Sequence, residues 1–319
     1  MPRWIATAAV VATAFASLPM AATAQQKWPS KPIEILYTFP PGNDADAVYR
    51  VLAQGMSKRL GVPVQVINKP GGGGVVGTAE LTKAKPDGYT IGSFTAGPGI
   101  TQILAGNTPY KQTDFMPLAG VFVNDFVLAA RGDIPANNLK EFAAWAKARG
   151  KPVIIGSYAA ASSPALIAAR IARRDGWQYK IVAFPNPSAK ELTSGDAELV
   201  TTGAEMAAPF VRAKQIKVLS TWMPTRSKHY PDTATIGEEG YGERFPWIGL
   251  IAPAGTPRDI VDKLSDTVRE AMGDKEITDL LAKLGVPALY MTPDQMAQRI
   301  QSDTQWMGEL MNELGMTKR

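Results

Sequence analysis

The chain has 319 residues, of which 45% are hydrophobic and 20% charged, with no Cys and a single His. The missing Cys excludes disulfides, thiolate metal sites, Cys nucleophiles and a lipid-modified cysteine anchor, and one His argues against His-rich metal sites and most His-based relays. A formal charge of +5, shared among 34 basic and 29 acidic residues, favours solubility and gives no sign of a nucleic-acid partner.

Met1–Ala24 opens with Arg3, continues through an apolar run from Trp4 to about Met20, and ends in Ala22-Thr23-Ala24. This is the layout of a secretory signal peptide cleaved after Ala24, leaving Gln25–Arg319 as the mature chain. Its many Ala and Thr residues and Pro19 argue against a membrane anchor.

Strands and helices then alternate. Ile33–Phe39 is an apolar strand stopped by Pro40-Pro41-Gly42, and Val48, Val51, Leu52, Met56 and Leu60 form a helical stripe closed by Gly61. Val64–Ile67 reads as a strand, Gly77–Ala84 as a helix and Tyr89–Phe94 as a strand, so this half should hold a mostly parallel sheet with helices on both faces. After Asp114 a second set begins, with Val121–Ala130 as one long strand. Asn138 with Glu141 caps a helix over Leu139–Ala148, Val153–Gly156 is a strand, and Ser163-Pro164 opens a helix to about Arg173. Further strands fall at Ile181–Phe184, Leu199–Thr202, Lys217–Ser220 and Trp247–Ala252, and amphipathic helices at Pro257–Ala271 and Pro293–Leu314.

Gly72-Gly73-Gly74-Val75-Val76-Gly77 fits the spacing of a dinucleotide loop. Pro70 precedes it, and the next strand ends at Phe94-Thr95 without an acid to hold a ribose, so a tight turn with close backbone approach is the better reading and no cofactor is expected. His229 lies in a polar, turn-like stretch and reads as an exposed loop residue. The informative loops are Phe39–Ala47 and Gly156–Pro164, each running from the end of a strand into the start of a helix. Ligands bind at that edge of parallel α/β sheets, where free N–H groups and the helix dipole meet. Neither loop carries Lys or Arg, so an anion there would rest on backbone N–H groups, on the hydroxyls of Ser157, Ser162 or Ser163, and on water. The pattern equally describes two ordinary, capped connections.

Trp28-Pro29-Ser30-Lys31-Pro32 ahead of the first strand, Asn68-Lys69-Pro70-Gly71 with Gly73, Gly74 and Gly77, Pro86-Asp87-Gly88-Tyr89-Thr90, Pro231-Asp232 with Thr235 and Glu238, and Ala252-Pro253-Ala254-Gly255-Thr256-Pro257 occur in this order. Together they resemble the Bug/TctC family, the periplasmic solute-binding proteins of tripartite tricarboxylate transporters, over essentially the whole mature chain. The resemblance implies an α/β, type II-like periplasmic binding fold with a ligand cleft between two lobes, 25–121 plus 247–319 and 122–246. It also implies a monomer without catalytic activity that carries a small carboxylate to a two-subunit membrane permease. A membrane sensor kinase as partner is the alternative; an exported hydrolase would need a base for Ser162 or Ser163.

Under the resemblance the ligand carboxylate sits between the first loop of each lobe. Gly42 and Asp46 match the family's first loop, while Asn43 and Asp44, followed by Ala45, replace its usual Gly and Ser. Gly156, Ser157 and Ser162 match the second loop; Ala159 and Ala161 stand where Gly is common, Ala165 where His is frequent, and Thr202 where many relatives carry Asp. Asp44 is either a helix N-cap facing away or a cleft residue that repels a carboxylate and pairs with an amine. Phe39, Phe94, Tyr158, Phe184, Met206 and Trp247 lie at or beside strand ends. If half of them face the cleft, an aromatic or medium-chain carboxylate is favoured over citrate.

Overall fold

A computed structural model describes residue 1, residues 28–242 and residues 244–317. Most of the expected targeting segment and its cleavage point fall outside the described residues.

The run Ile33–Tyr37 forms β1, with Ile33, Ile35, Leu36 and Tyr37 all but inaccessible. It lies between two parallel neighbours, β2 (Val64–Asn68) and β3 (Thr90–Phe94). A strand covered on both faces favours such a near-continuous apolar run. α1 (Asp44–Leu60) follows β1 and buries Val48, Leu52 and Met56 on the sheet; Asn43 caps its start and Gly61, in the left-handed region, ends it. Between β2 and α2 (Val75–Leu81), Gly71 to Gly74 all have positive φ. A Cβ on Gly74 would lie 2.9 Å from Pro98, and one on Gly77 2.7 Å from the Lys69 carbonyl, so the glycines serve close packing.

After the short α3 (Gln102–Leu104), β4 (Phe115–Val123) joins the same sheet and β5 (Phe126–Arg131) starts another. The expected single strand Val121–Ala130 is therefore two strands in two sheets, joined by Asn124 and Asp125. Val123 still pairs with Trp247, so the first sheet extends past the expected limit at residue 121. The chain continues through α4 (Leu139–Ala148), β6 (Val153–Ser157), α5 (Ser163–Asp175), β7 (Tyr179–Ala183), α6 (Ala189–Ser194), β8 (Leu199–Gly203), α7 (Ala204–Arg212) and β9 (Ile216–Trp222). It then returns along residues 223–246 to β10 (Trp247–Pro253), followed by α8 (Arg258–Ala271), α9 (Lys275–Leu284), β11 (Ala288–Met291) and α10 (Pro293–Leu314).

The first sheet has the order β11-β4-β10-β3-β1-β2 and the second β7-β6-β8-β5-β9. Pairing is parallel within β2-β1-β3 and within β7-β6-β8, but β10 and β5 are antiparallel to both of their neighbours. The sheets are thus mixed rather than mostly parallel. β10 and β5 arrive directly from the other lobe, without the helical return that makes neighbouring strands parallel.

α10 departs from the expected division. It packs on β4 of the first sheet and on α5 of the second lobe. Arg173 of α5 donates to the Glu313 carbonyl, and the Arg170 guanidinium lies 5.8 Å from the centre of the Trp306 ring. Met307, Leu310 and Met311 share one apolar core with Phe142, Ile167 and Ile171. The C-terminal helix therefore spans both lobes.

Candidate functional site

Between the lobes lies a cavity of about 1020 Å³, counting its open mouth. Its first wall is the loop after β1. Asn43 Oδ1 accepts from Asp46 N at 2.9 Å and from the Tyr37 hydroxyl at 2.7 Å, which fixes the start of α1. Asn43, Asp44 and Ala45 line the cavity with Phe39. The cap is Asn43, not Asp44. The Asp44 carboxylate instead reaches the second lobe, where a Cβ on Gly203 would lie 2.6 Å from its Oδ2. Burial, then the nearby Glu205 charge, pushes the Asp44 carboxyl up to about 6, with His229 opposing.

Gly42 and Asp46 do not line the cavity. Asp46 turns back to accept from Gly42 N, from Arg50 at 3.0 Å through both Nε and an Nη, and from Asn68 Nδ2 at 3.0 Å. Burial alone would raise its pKa, but these donors, led by Arg50, hold it below the usual carboxylate range. It braces the loop from behind.

The second wall is the loop after β6. Ser162 caps α5, accepting from Ala165 N, and its Oγ also bonds Ser157 Oγ at 2.7 Å and the Ala159 carbonyl at 2.8 Å. Tyr158, Ser162, Ser163 and Pro164 face the cavity. Ser163 is 7% exposed and its hydroxyl has no hydrogen-bond partner. Ser157 lies behind Ser162, and the Ala161 carbonyl is occupied by the Thr101 hydroxyl of the first lobe, so neither lines the cavity. Thr202, Gly203 and Met206, at the junction of β8 and α7, complete this wall. Phe184 packs beside Gly156, and Phe94 is buried, stacked at 4.9 Å against Trp247; neither reaches the cavity.

Trp247 does line it, but its indole N–H is already committed to Asp303 Oδ2 at 2.7 Å. Asp303, on α10, also accepts from Arg244 at 3.1 Å and from Arg299 at 2.9 Å. Arg244 and Phe245 enter from the return segment, Asn124 from the first crossing, Phe126 from the start of β5, Trp222 from the end of β9, and Gly73 and Thr95 to Gly97 from the turns beside β3. Sequence patterning did not assign these residues to the site, because they lie on irregular crossings and turns, at the ends of strands, or, for Asp303, on a charged face of an amphipathic helix. The only available signal was the aromatic density around Phe245 and Trp247.

Both α1 and α5 begin at the cavity, and so does α7, which has no side-chain cap. Their free N–H groups favour an anion. The expected exposed His229 is instead half-buried: Nε2 lies 3.1 Å from the Leu284 carbonyl and Nδ1 3.6 Å from Glu205. No imidazole thus contacts Ser162, whose hydroxyl already caps α5. Among the described residues no cluster of potential metal ligands occurs, and no helix is long and apolar enough to cross a membrane.

Two α/β lobes that swap strands and enclose an apolar cavity at converging helix N-termini define a solute-binding protein. The sequence profile of the tripartite tricarboxylate transporter family receptor (TctC) matches residues 48–316, and the chain belongs to that family. Protein BugT of Bordetella pertussis is 29% identical over 99% of this chain and 98% of its own. The structure of periplasmic binding protein BugD is 27% identical, with a TM-score of 0.82 over 92% of this chain and 100% of its own. MatC of Rhodopseudomonas palustris, solved with bound malate, is 25% identical, with a TM-score of 0.81 over 89% of this chain and 99% of its own.

Proposed function

We propose that this protein, exported to the periplasm by a cleaved signal peptide, captures a small organic carboxylate between its lobes and delivers it to a two-subunit tripartite-type permease. The observation that carries this reading is the convergence of the starts of α1, α5 and α7 on one cavity between the lobes, with Ser163, whose hydroxyl is buried and unpartnered, in its lining. An unpartnered hydroxyl of this kind costs about 1–3 kcal/mol unless a ligand or water takes it up. A carboxylate oxygen supplies the missing acceptor, and the helix N-termini supply the field. MatC, which binds malate in a similar structure, supports the ligand class.

Capture is by closure: a ligand that touches both lobes binds the closed arrangement better and shifts the population toward it. Release is the reverse, with the solute unchanged. Isothermal titration and thermal shift against mono-, di-, amino and aromatic carboxylates test the reading. A binder raises the melting temperature as its concentration exceeds Kd; no response from any class overturns it. Uptake of that ligand by cells carrying the permease with and without this chain tests the delivery step.

A further inference from the structure

Asp44 is the charged group that the proposed capture of a plain carboxylate leaves unexplained. It lines the cavity and has no side-chain hydrogen-bond or ion-pair partner among the described residues. The neighbouring basic side chains are engaged elsewhere: Arg244 on Asp303 and Ser302, and the His229 ring between the Leu284 carbonyl and Glu205. The acid faces the second lobe at Gly203, so anything enclosed between the loops meets it. Its charge also acts on Tyr158, whose hydroxyl burial and then Asp44 push up to about 12.

The aromatic part of the lining has the same electrostatic sense, while Arg244 and the helix N-termini have the opposite one. Phe39 and Tyr158 meet edge to face at 5.2 Å, and Phe126 and Trp222 lie 6.3 Å apart, all four lining the cavity. Aromatic faces attract a cation and give an anion nothing. A dicarboxylate seated with one end at Ser163 and the helix N-termini would bring its second carboxylate toward Asp44, which raises the cost of enclosing either charge. An ammonium would neutralise Asp44 and bond to it.

Resting on the carboxylate-capture reading, we propose that Asp44 sets specificity and that the ligand is an amino carboxylate, its carboxylate at Ser163 and its ammonium on Asp44 among the aromatic rings. Asp44 thereby selects against dicarboxylates as well as for the amine.

The experiment is calorimetric titration of the unfolded-and-refolded full chain, freed of co-purified ligand, with matched sets: aminohexanoate, hydroxyhexanoate, hexanoate and adipate; aminomethylbenzoate, methylbenzoate and terephthalate; phenylalanine and phenylpropanoate. In at least one set the amino member is expected to bind about tenfold or more tighter than its parent and its dicarboxylate. Asp44→Asn should weaken the amino ligand by about tenfold while moving the parent carboxylate less than about twofold. Asp44→Ser, which has a smaller side chain, serves as a second variant should the first fold poorly. A hydroxy or dicarboxylate member binding as tightly as the amine, or equal effects of the substitution on all members, overturns the assignment of Asp44 and leaves carboxylate capture standing. Silence from every set overturns both.

Discussion

Phe39 and Tyr158, one from each lobe, meet edge to face with ring centroids 5.2 Å apart, so the two loops that frame the cavity also hold each other across it. Such a pair contributes about 0.5–1.5 kcal/mol beyond its buried area. That contact exists only while the lobes are together. Phe39→Leu should therefore favour the open arrangement and weaken ligand binding by up to about tenfold, with the unfolding midpoint nearly unchanged. Small-angle scattering of the free protein should show a larger radius of gyration; an unchanged radius and affinity would remove the contact from the closing equilibrium.

Gly203 gives a steric counterpart. Its φ of −63° is open to any residue, yet a Cβ there would lie 2.6 Å from Asp44 Oδ2. Gly203→Ala should leave each lobe intact and hinder their approach, raising Kd several-fold. The pair Asp44→Gly with Gly203→Ala should recover closure, as judged by scattering with saturating ligand. A single variant that closes fully would show that Asp44 swings aside at little cost.

Asp125, in the first crossing, is buried with Oδ1 unpartnered and Oδ2 accepting from the Ser227 hydroxyl at 2.5 Å. Burial, against the Ser227 bond, pushes its carboxyl up to about 6. A carboxyl raised in the folded state stabilises the fold below its unfolded pKa of about 3.9, and that contribution is lost as pH rises through about 6. Asp125→Asn does not titrate, so it should be more stable than the parent by up to about 3 kcal/mol above neutrality and gain nothing below about pH 4. Urea unfolding across this range measures the difference; a gain independent of pH would sink the account.

Asp303 joins α10 to the cavity by accepting from Trp247, Arg244 and Arg299 while only 5% exposed. Removing one partner of such a buried network costs about 3–5 kcal/mol, because the others remain desolvated. Asp303→Ala should lower the urea midpoint accordingly with an unchanged slope. A loss below about 1 kcal/mol would mean that water replaces the carboxylate.

The loops after β1 and β6 were legible because Pro40-Pro41-Gly42 and Ser163-Pro164 punctuate the chain wherever they occur. The crossing at Asn124 and Asp125 was not. Both flanking strands are buried, so Val121–Ala130 shows one unbroken apolar tendency, and periodicity carries no record of which sheet a strand joins. α9 had a usable signal in Ile277, Leu281 and Leu284. Arg244, Phe245 and Asp303 had almost none, since their place at the cavity depends on where the return segment and α10 lie in space. Asp46 and Ser157 show the reverse error: they occupy the right loops but face backward, and one-dimensional spacing within an irregular loop does not set direction.

Because β10 is inserted between β3 and β4, the first sheet lacks its middle strand until most of the chain has been made, whereas β5 to β9 form one contiguous stretch. A nascent chain can thus assemble the second sheet while β3 and β4 still wait with bare edges. Unpaired edges of this kind are templates for association with other chains. A protein ending at residue 246 would keep those edges permanently and lose the helix that covers both cores. The order of synthesis thus runs against the order in which the first sheet can close, and the risk of aggregation lies in that interval.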